Sequence, residues 1–176
     1  MADASHSPLL APLLRGPRVT LRPMTDDDVP ALVAMLNEPE VARWWGKNDA
    51  ADVREELAEA PSYAILVDDD AVVGWLQVHE EAEPQYPSVS FDIALRSALH
   101  GQGYGPEALR LAIRHQIERG HHRFMIDPAL ENERAIRAYE AVGFRRVGVL
   151  REYEMAPDGR RRDGLMMDLL ARELVE

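Results

Sequence analysis

The sequence predicts an α/β protein with a single mixed sheet of six or seven strands, flanked by about four helices. Apolar stretches with the alternation of strands occur both before and after segments with the periodicity of helices, and turn-forming residues separate them. The length of 176 residues, with 46% hydrophobic and 29% charged residues, suits one globular domain with a substantial core. We expect this domain over residues 18–176, preceded by a flexible arm over residues 1–17.

The composition argues against several classes of protein. The net charge of −11 disfavours nucleic acid as a partner and suits a cationic substrate, although general solubility explains such a surface equally well. No run of 18 apolar residues occurs, so we expect no membrane-spanning helix. Cysteine is absent, which rules out disulfides and thiolate ligands. The first residues lack the features of a signal peptide, so we expect a cytoplasmic protein, either a monomer or a homodimer.

The N-terminal half predicts three strands and three helices. The first strand alternates apolar and polar residues, and Thr25 with Asp28 forms a capping box at the start of the first helix. Pro39 suits the start of the second helix. The predicted strands are residues 18–24, 63–67 and 71–79, of which the last two are joined by an acidic turn at 68–70. The predicted helices are residues 25–37, 39–46 and 49–60.

Residues 88–144 predict a unit in the order strand, glycine-rich turn, helix, strand, helix. Alternating apolar residues mark its strands, and Pro106 and Gly143 mark a helix start and a helix end. The strands are residues 89–95 and 123–127, and the helices are residues 106–120 and 132–142. After this unit, residues 147–155 and 165–170 predict a closing hairpin around Pro157-Asp158-Gly159.

The glycine-rich turn, residues 100–106, has glycine at positions 101, 103 and 105. Glycine at alternate positions lets backbone N–H groups point in one direction and lets a ligand approach closely. The turn leads into a helix whose first N–H groups lack partners and attract phosphate. The spacing is neither that of a Rossmann motif nor that of a P-loop, and a flexible connector explains the turn alone equally well. The turn therefore predicts a phosphate site only in combination with other motifs.

Two motifs resemble those of the GNAT superfamily of acyl-CoA-dependent N-acyltransferases. HGQGYG is similar to the superfamily's pyrophosphate-binding turn, Arg/Gln-x-x-Gly-x-Gly/Ala, with His100 where arginine or glutamine is usual. The run ENERAIRAYEAVGF, which ends at Phe144, is similar to its N-x-x-A-x-x-x-Y-x-x-x-G-F helix. The motifs occur in the expected order and separation. The resemblance implies a GNAT fold with a sheet splayed at its centre, acetyl-CoA as co-substrate and no metal.

The resemblance also implies a set of cofactor contacts. The pyrophosphate would lie on the glycine-rich turn, Asn132 would contact the pantetheine arm, and Arg137 would bind the cofactor from the same helix. The oxyanion would meet a strand N–H between Ile93 and Leu95, left unpaired where the sheet splays. In the turn, the predicted cofactor-binding residues are His100, Gly101, Gln102, Gly103, Tyr104, Gly105 and Pro106.

Asp92 is the candidate base. It lies on a predicted strand among apolar residues, on the same face as Ser90 and Ala94, and a buried carboxylate is costly unless it is paired or meets a cation. An alternative is an aspartate paired with a nearby arginine or capping the backbone. The resemblance implies that the acid at this place contacts the substrate amine and serves as its base, directly or through water.

Tyr139 is the candidate acid. Attack on a thioester expels a thiolate, and a positioned hydroxyl can donate a proton to it. The resemblance assigns this part to the tyrosine of the second motif, which is Tyr139 in this sequence. The alternative is an aromatic residue that packs in the core with its hydroxyl at the rim.

The chain is also similar to the aminoglycoside 6'-N-acetyltransferase branch of the superfamily, over nearly all of residues 18–170. The similarity includes Trp44-Trp45-Gly46, Ile126-Asp127-Pro128 and the Pro157-Asp158-Gly159 turn. It implies transfer of an acetyl group to the 6'-amine of an aminoglycoside. The partner would thus be a small cationic amine.

Three further residues are predicted to bind that amine together with Asp92. Trp44 would form an aromatic wall through stacking and cation–π attraction, and the alternative is that both adjacent tryptophans fill the core. Asp127 would face the pocket or cap the turn after its strand. Asp158 would reach the pocket or serve as an ordinary turn residue, and the longer segment before it favours the turn.

Other functions stay open at this point. The N-terminal pattern also resembles acyltransferases that act on protein N-termini and on siderophore hydroxylamines, and polyamines are another class of amine acceptor. A non-catalytic acyl-CoA-binding module is a different class, against which Asp92 and Tyr139 argue. The histidines at 115, 121 and 122 show no metal-ligand partners in the sequence.

Overall fold

The computed structural model describes residues 12–68 and 71–176. These residues form one mixed sheet of eight strands and five α-helices. The strands are β1 (Leu14–Arg15), β2 (Val19–Pro23), β3 (Ser62–Val67), β4 (Ala71–Glu81), β5 (Ser88–Leu95), β6 (Arg123–Ile126), β7 (Arg145–Met155) and β8 (Arg161–Leu170). The helices are α1 (Val29–Leu36), α2 (Pro39–Trp45), α3 (Ala50–Glu59), α4 (Tyr104–Glu118) and α5 (Glu133–Glu140). The strand order is β1-β2-β3-β4-β5-β6-β8-β7.

The α/β class is confirmed, and the sheet has one strand more than the six or seven expected. The additional strand is β1, in which Leu14 pairs with Leu21 and Arg15 with Thr20. The expectation of a flexible arm is therefore wrong for these residues, because Leu14 also packs against the core. The rest of the predicted arm, residues 1–11, lies outside the described residues, as do residues 69–70 of the acidic turn.

The sheet separates two apolar cores. On one face, Phe91 and Phe124 stack with ring centroids 6.1 Å apart, in a core shared with α4 and α5. On the other face, Trp75 meets Trp45 at 5.2 Å in a core built from α1, α2 and α3. Successive strand residues point to opposite faces, so β5 directs Asp92 toward the side of α3. None of the helices in the described part of the chain is long and apolar enough to cross a membrane.

The sheet opens between β5 and β6. These two strands run parallel, and their pairing is confined to Val89 with Phe124 and Ser90 with Met125. Beyond Ser90, β5 continues beside β4 as far as Leu95 but is no longer paired with β6. One backbone edge of β5 therefore has no partner strand, in agreement with the expected splay.

The helix after the glycine-rich turn begins two residues earlier than expected. Its first residue is Tyr104, its N-cap is Gly103, and Pro106 lies in the first turn, where no N–H is needed. The φ of 85° at Gly103 explains why glycine occupies this position. Helix α5 is capped by Asn132, whose side chain accepts a hydrogen bond from the Ala135 N–H at 3.2 Å.

Strands β7 and β8 form a long hairpin at one edge of the sheet. Its ladder is interrupted between Leu150 and Glu154, where Glu152 adopts a φ of 50°. A hydrogen bond from the Glu152 N–H to Asp163 Oδ1, at 2.7 Å, holds the irregular stretch. Such a bulge redirects side chains, and here it brings Tyr153 and Glu154 to the opening between β5 and β6.

The carboxylate of Glu107 joins the start of α4 to the start of β2. Its Oε1 accepts hydrogen bonds from the N–H groups of Arg18 at 2.7 Å and Val19 at 3.0 Å, and its Oε2 accepts one from Arg18 Nε at 2.9 Å. The side chain is only 13% exposed. The two backbone amides therefore depend on this side chain for their acceptor.

Replacing Glu107 with alanine is expected to lower the free energy of unfolding by about 2 kcal/mol, because the N–H of the buried Val19 loses its acceptor and a buried donor without a partner costs about 1–3 kcal/mol. Urea denaturation measures this loss. Glu107→Gln is the matched control, since it keeps an oxygen for both amides and gives up only an exposed ion pair. Equal losses in the two variants would show that the amides do not depend on the acceptor.

Candidate active site

The opening between β5 and β6 leads into a groove with a volume of about 440 Å³. The C-terminal half of β5, the glycine-rich turn and α5 form its walls. Every predicted cofactor-binding residue except Gln102 lines this groove: Ile93, Leu95, His100, Gly101, Gly103, Tyr104, Gly105, Pro106, Asn132 and Arg137. The structure thus brings together residues that are far apart in the sequence.

The glycine-rich turn offers unpaired backbone N–H groups to the groove. Within the part of the chain that the structure describes, the amides of residues 101–105 donate no hydrogen bond. A Cβ at Gly101 would meet no atom within 4 Å, so this side of the turn is open. His100 holds the turn against β5, because its Nε2 lies 2.8 Å from the carbonyl oxygen of Leu95. Free amides at a helix N-terminus fit the pyrophosphate of a CoA thioester.

The side chain of Gln102 faces away from the groove. Its amide donates to the carbonyl oxygen of Ala98 at 2.8 Å, and its own backbone carbonyl oxygen accepts a hydrogen bond from Arg18 Nη1 at 3.1 Å. This side chain therefore braces the turn, and the cofactor contact predicted for Gln102 stays a prediction for its backbone N–H. Only the backbone amide of Gln102 is left for a ligand.

Arg134 also lines the groove, although it was not identified from the sequence. It lies in the first turn of α5, and its guanidinium makes no hydrogen bond or ion pair with another described residue. A cation at a helix N-terminus is electrostatically unfavourable. An arginine at this position of the predicted helix was therefore the signal in the sequence that could have identified Arg134 as a ligand-binding residue. An anionic ligand in the groove would compensate for that position. Arg137, by contrast, forms an ion pair with Glu133, in which Nη1 and Oε2 are 3.2 Å apart.

A smaller pocket of about 150 Å³ adjoins the groove. The two cavities share the side chains of Trp44, Trp45, Ile93, Asn132 and Tyr139. Three carboxylates line this second pocket, and they come from three different strands or strand ends: Asp92, Asp127 and Glu154. We call it the acceptor pocket.

Asp92 is half-exposed and paired. Its Oδ2 lies 3.0 Å from Nε2 of His79, and the two side chains are 42% and 35% exposed, respectively. Its partner is thus a histidine on the neighbouring strand β4, and not the arginine or the backbone group that the alternative named. This hydrogen bond raises the pKa of His79 above its ordinary value. His79 could not be identified from the sequence, because no local pattern encodes the register of β4 with β5.

Asp127 reaches the acceptor pocket from the end of β6. Burial raises the pKa of its carboxyl, and this effect outweighs a hydrogen bond from the hydroxyl of Tyr153. The same hydrogen bond, with burial, raises the pKa of Tyr153 to about 12. Tyr153 was not identified from the sequence, because only the bulge in β7 brings it to Asp127.

Tyr139 lies at the junction of the two cavities. Its ring packs against Phe144 with centroids 6.2 Å apart. Burial raises the pKa of its hydroxyl strongly, and the negative charges of Asp92 and Asp127 add to this effect. The hydroxyl is therefore protonated over the whole physiological pH range and can act only as a donor of its proton.

The two adjacent tryptophans have different surroundings. Trp45 packs against Trp75 in the core. The guanidinium groups of Arg43 and Arg162 lie over the ring of Trp44, with Cζ 4.6 Å and 5.4 Å from the ring centroid, respectively. Arg162 also donates to the carbonyl oxygen of Trp44 at 2.9 Å. Trp44 thus lines the acceptor pocket, but its cation–π partners belong to the protein itself.

Asp158 lies at the tip of the β7–β8 hairpin, away from the other carboxylates. Its side chain accepts hydrogen bonds from the N–H of Arg160 at 3.0 Å and from Arg160 Nε at 2.8 Å. It borders a third cavity, which shares the side chains of Trp44 and Arg162 with the acceptor pocket. These are the contacts of a turn residue, which was the alternative for Asp158, and its contact with substrate stays a prediction.

The described residues contain no group of three or more histidine, aspartate or glutamate side chains suited to hold a metal ion. The ionisable groups of the site instead form pairs, His79 with Asp92 and Tyr153 with Asp127. Proton transfer and charge attraction are the chemistry that these pairs can perform.

Comparison with known proteins agrees with this geometry. Residues 18–145 match the acetyltransferase (GNAT) domain family. The chain is 30% identical over 168 residues to the aminoglycoside N(6')-acetyltransferase type 1 of Klebsiella pneumoniae and to that of Serratia marcescens, covering 80% of this chain and 79% of each relative.

Solved structures show the same similarity. An acetyltransferase from T. thermophilus superposes with a TM-score of 0.81 and 29% identity, over 93% of this chain and 91% of the other. AAC(6')-Ib in complex with paromomycin and acetyl-CoA superposes with a TM-score of 0.73 and 26% identity, over 89% of this chain and 95% of the other. The match confirms the resemblance drawn from the two motifs. The chain belongs to the GNAT family and is an N-acetyltransferase that uses acetyl-CoA as its co-substrate.

Proposed function

We propose that this N-acetyltransferase acetylates a primary amine of a small polycationic acceptor, namely the 6'-amine of an aminoglycoside. The observation that carries the proposal is the acceptor pocket, in which Asp92, Asp127 and Glu154 face the junction with the cofactor groove. Among the described residues that line the same pocket, Arg162 is the one cation, and Glu154 pairs with it at 2.7 Å. The similarity to the aminoglycoside N(6')-acetyltransferases supports the choice of acceptor.

The charge of the pocket suits an amine that arrives as an ammonium ion. The partners of Asp92 and Asp127 in the described part of the chain are a histidine and a tyrosine, neither of which carries a fixed positive charge. An ammonium group between them would lower the pKa of Asp127 and hold its carboxyl ionised. The overall charge of −11 attracts the same acceptor from a distance.

The site residues perform the transfer with three proton movements, two from the nitrogen of the acceptor and one to the leaving sulfur. Asp92 accepts a proton from the ammonium group, and the free amine then attacks the thioester carbonyl. A C–N bond forms and the C–S bond breaks, while an N–H on the unpaired edge of β5 stabilises the oxyanion. Tyr139 donates its proton to the departing thiolate, and the second proton that the nitrogen loses as the amide forms returns Tyr139 to its neutral form. The reaction needs no further reactant.

The experiment that tests the acceptor is free-CoA release from acetyl-CoA with a panel of amines. Kanamycin and tobramycin are expected to react rapidly, and aminoglycosides with a 6'-hydroxyl are the matched controls that should not react. Spermidine, lysine and a peptide that starts with serine or alanine represent the competing acceptors.

Fast reaction with spermidine or the peptide, and none with the aminoglycosides, would replace the proposed acceptor. If no amine of the panel causes release of free CoA while acetyl-CoA still binds, the proposal as a whole is contradicted. Mass spectrometry of the product, which locates the acetyl group on the sugar, checks the position of the reacting amine.

A further inference from the structure

The contact between His79 and Asp92 follows from the pairing of β4 with β5. Gln77 lies opposite Asp92 and His79 lies opposite Ser90, so His79 and Asp92 are diagonal neighbours on one face of the sheet. Long side chains in this relation can touch. The distance of 3.0 Å between His79 Nε2 and Asp92 Oδ2 is that of a hydrogen bond.

The surroundings of His79 are acidic on two sides. Asp92 of β5 is its hydrogen-bond partner, and Glu56 and Glu59 of α3 add negative charge from the helix above it. Burial and the charges of Glu59 and Asp92 raise the pKa of the Glu56 carboxyl. The imidazole is therefore the group through which this cluster exchanges a proton near neutral pH.

The position of His79 gives it access to both the site and the solvent. Asp92 lines the acceptor pocket, whereas His79 does not line it and is 35% exposed beside α3. During turnover the acceptor fills the pocket and acetyl-CoA fills the groove, so bound substrates cover Asp92 on that side. The imidazole offers the carboxylate a route to water that the substrates leave open.

We propose that His79 is a positioning residue that acts through Asp92, holding the carboxylate toward the acceptor pocket and accepting the proton that Asp92 takes from the amine. The proton moves from the ammonium nitrogen to the carboxylate and then to Nε2 of neutral His79. Deprotonation of the imidazolium by water on the α3 side restores the starting state. This inference rests on the role of Asp92 in the proposed function, but not on an aminoglycoside acceptor.

The first test follows the imidazole protons of His79 by NMR as the pH is changed. The wild-type enzyme is expected to show a His79 pKa above the usual value of about 6.5, and the Asp92→Asn variant a lower one, since the carboxylate partner is lost. The titration needs no acceptor, so it decides the coupling even if every aminoglycoside is inert. An unchanged His79 pKa in Asp92→Asn would overturn the inference.

The second test is the pH dependence of kcat/KM with the fastest amine of the panel. In the wild type, kcat/KM should rise with pH through the raised pKa of His79, because only neutral His79 accepts a proton. His79→Gln keeps a hydrogen-bond donor for Asp92 but cannot titrate, so this rise should disappear. The amine's own ionisation contributes equally to both enzymes and cancels in the comparison.

The values of kcat and of the KM for acetyl-CoA in His79→Gln distinguish a proton-accepting role of His79 from a purely structural one. His79→Gln is expected to lower kcat at least about tenfold, less than the roughly 10²- to 10⁴-fold of a directly acting base, with the KM for acetyl-CoA unchanged. The exposed His122 provides the matched control, since His122→Gln should keep the wild-type kcat and pH profile. A wild-type kcat and pH profile in His79→Gln would refute the proton-accepting role.

Discussion

Replacement of Asp92 with asparagine is expected to lower kcat by about 10²- to 10⁴-fold, the contribution of a general base. The amide has nearly the shape of the carboxylate, and Asp92 is half-exposed, so the fold should survive. It cannot accept a proton from the ammonium group. Turnover by this variant therefore depends on the small fraction of acceptor that is already deprotonated.

Steady-state release of free CoA at several pH values measures this effect. The deficit of Asp92→Asn should shrink as the pH approaches the pKa of the acceptor amine, because the free amine then needs no base. Asp27→Asn makes the same chemical change on an exposed residue and should leave kcat unchanged. A deficit that is independent of pH would assign Asp92 to binding rather than to proton transfer.

Tyr139→Phe is expected to lower kcat by about 10²-fold or more, the loss of one general acid. The phenyl ring retains the packing against Phe144, so stability should change little. Burial and the nearby carboxylates raise the pKa of the Tyr139 hydroxyl, so the wild type should lose no activity through its ionisation up to alkaline pH. The variant lacks the proton that the thiolate requires.

Single-turnover measurement of acetyl transfer checks the role of Tyr139 directly. The rate should fall as much as kcat does, which excludes a slow release of product as the cause. Tyr86 is 71% exposed, and Tyr86→Phe serves as the matched control that removes a hydroxyl elsewhere. A single-turnover rate close to that of the wild type would remove Tyr139 from the chemical step.

The two expected losses have different signatures. A more alkaline pH compensates for the missing base in Asp92→Asn, since it supplies free amine. It does not compensate for the missing acid in Tyr139→Phe, since it lowers the supply of protons for the thiolate. The pH dependence of the two variants therefore distinguishes the two roles within one assay.

Much of the fold could be predicted from the sequence. Local signals mark the central unit, because the alternation of β5, the turn glycines and the Asn132 cap each depend on residues that are neighbours in the chain. The helix start at Tyr104 was missed by two residues, since Pro106 is compatible with several positions in a first turn. Strand β1 was missed because two residues carry no periodicity of their own.

The chemistry of the site could be predicted in part. Asp127 and Tyr139 were identified from motifs and Asp92 from its place on a predicted strand, and all three line the acceptor pocket. Their partners were not identified. His79 and Tyr153 come from strands whose register and bulge are decided by many weak contacts along the sheet.

The sequence by itself determined the family and the glycine-rich turn, because each is encoded in a short contiguous motif, and it named Asp92 and Tyr139 as the candidate base and acid. Only the tertiary structure decided which side chains face one another. It pairs Asp92 with His79, turns Gln102 away from the groove and holds Asp158 at the hairpin tip. The physical reason is that strand register, the splay of the sheet and the bulge in β7 are long-range properties, which no local pattern encodes.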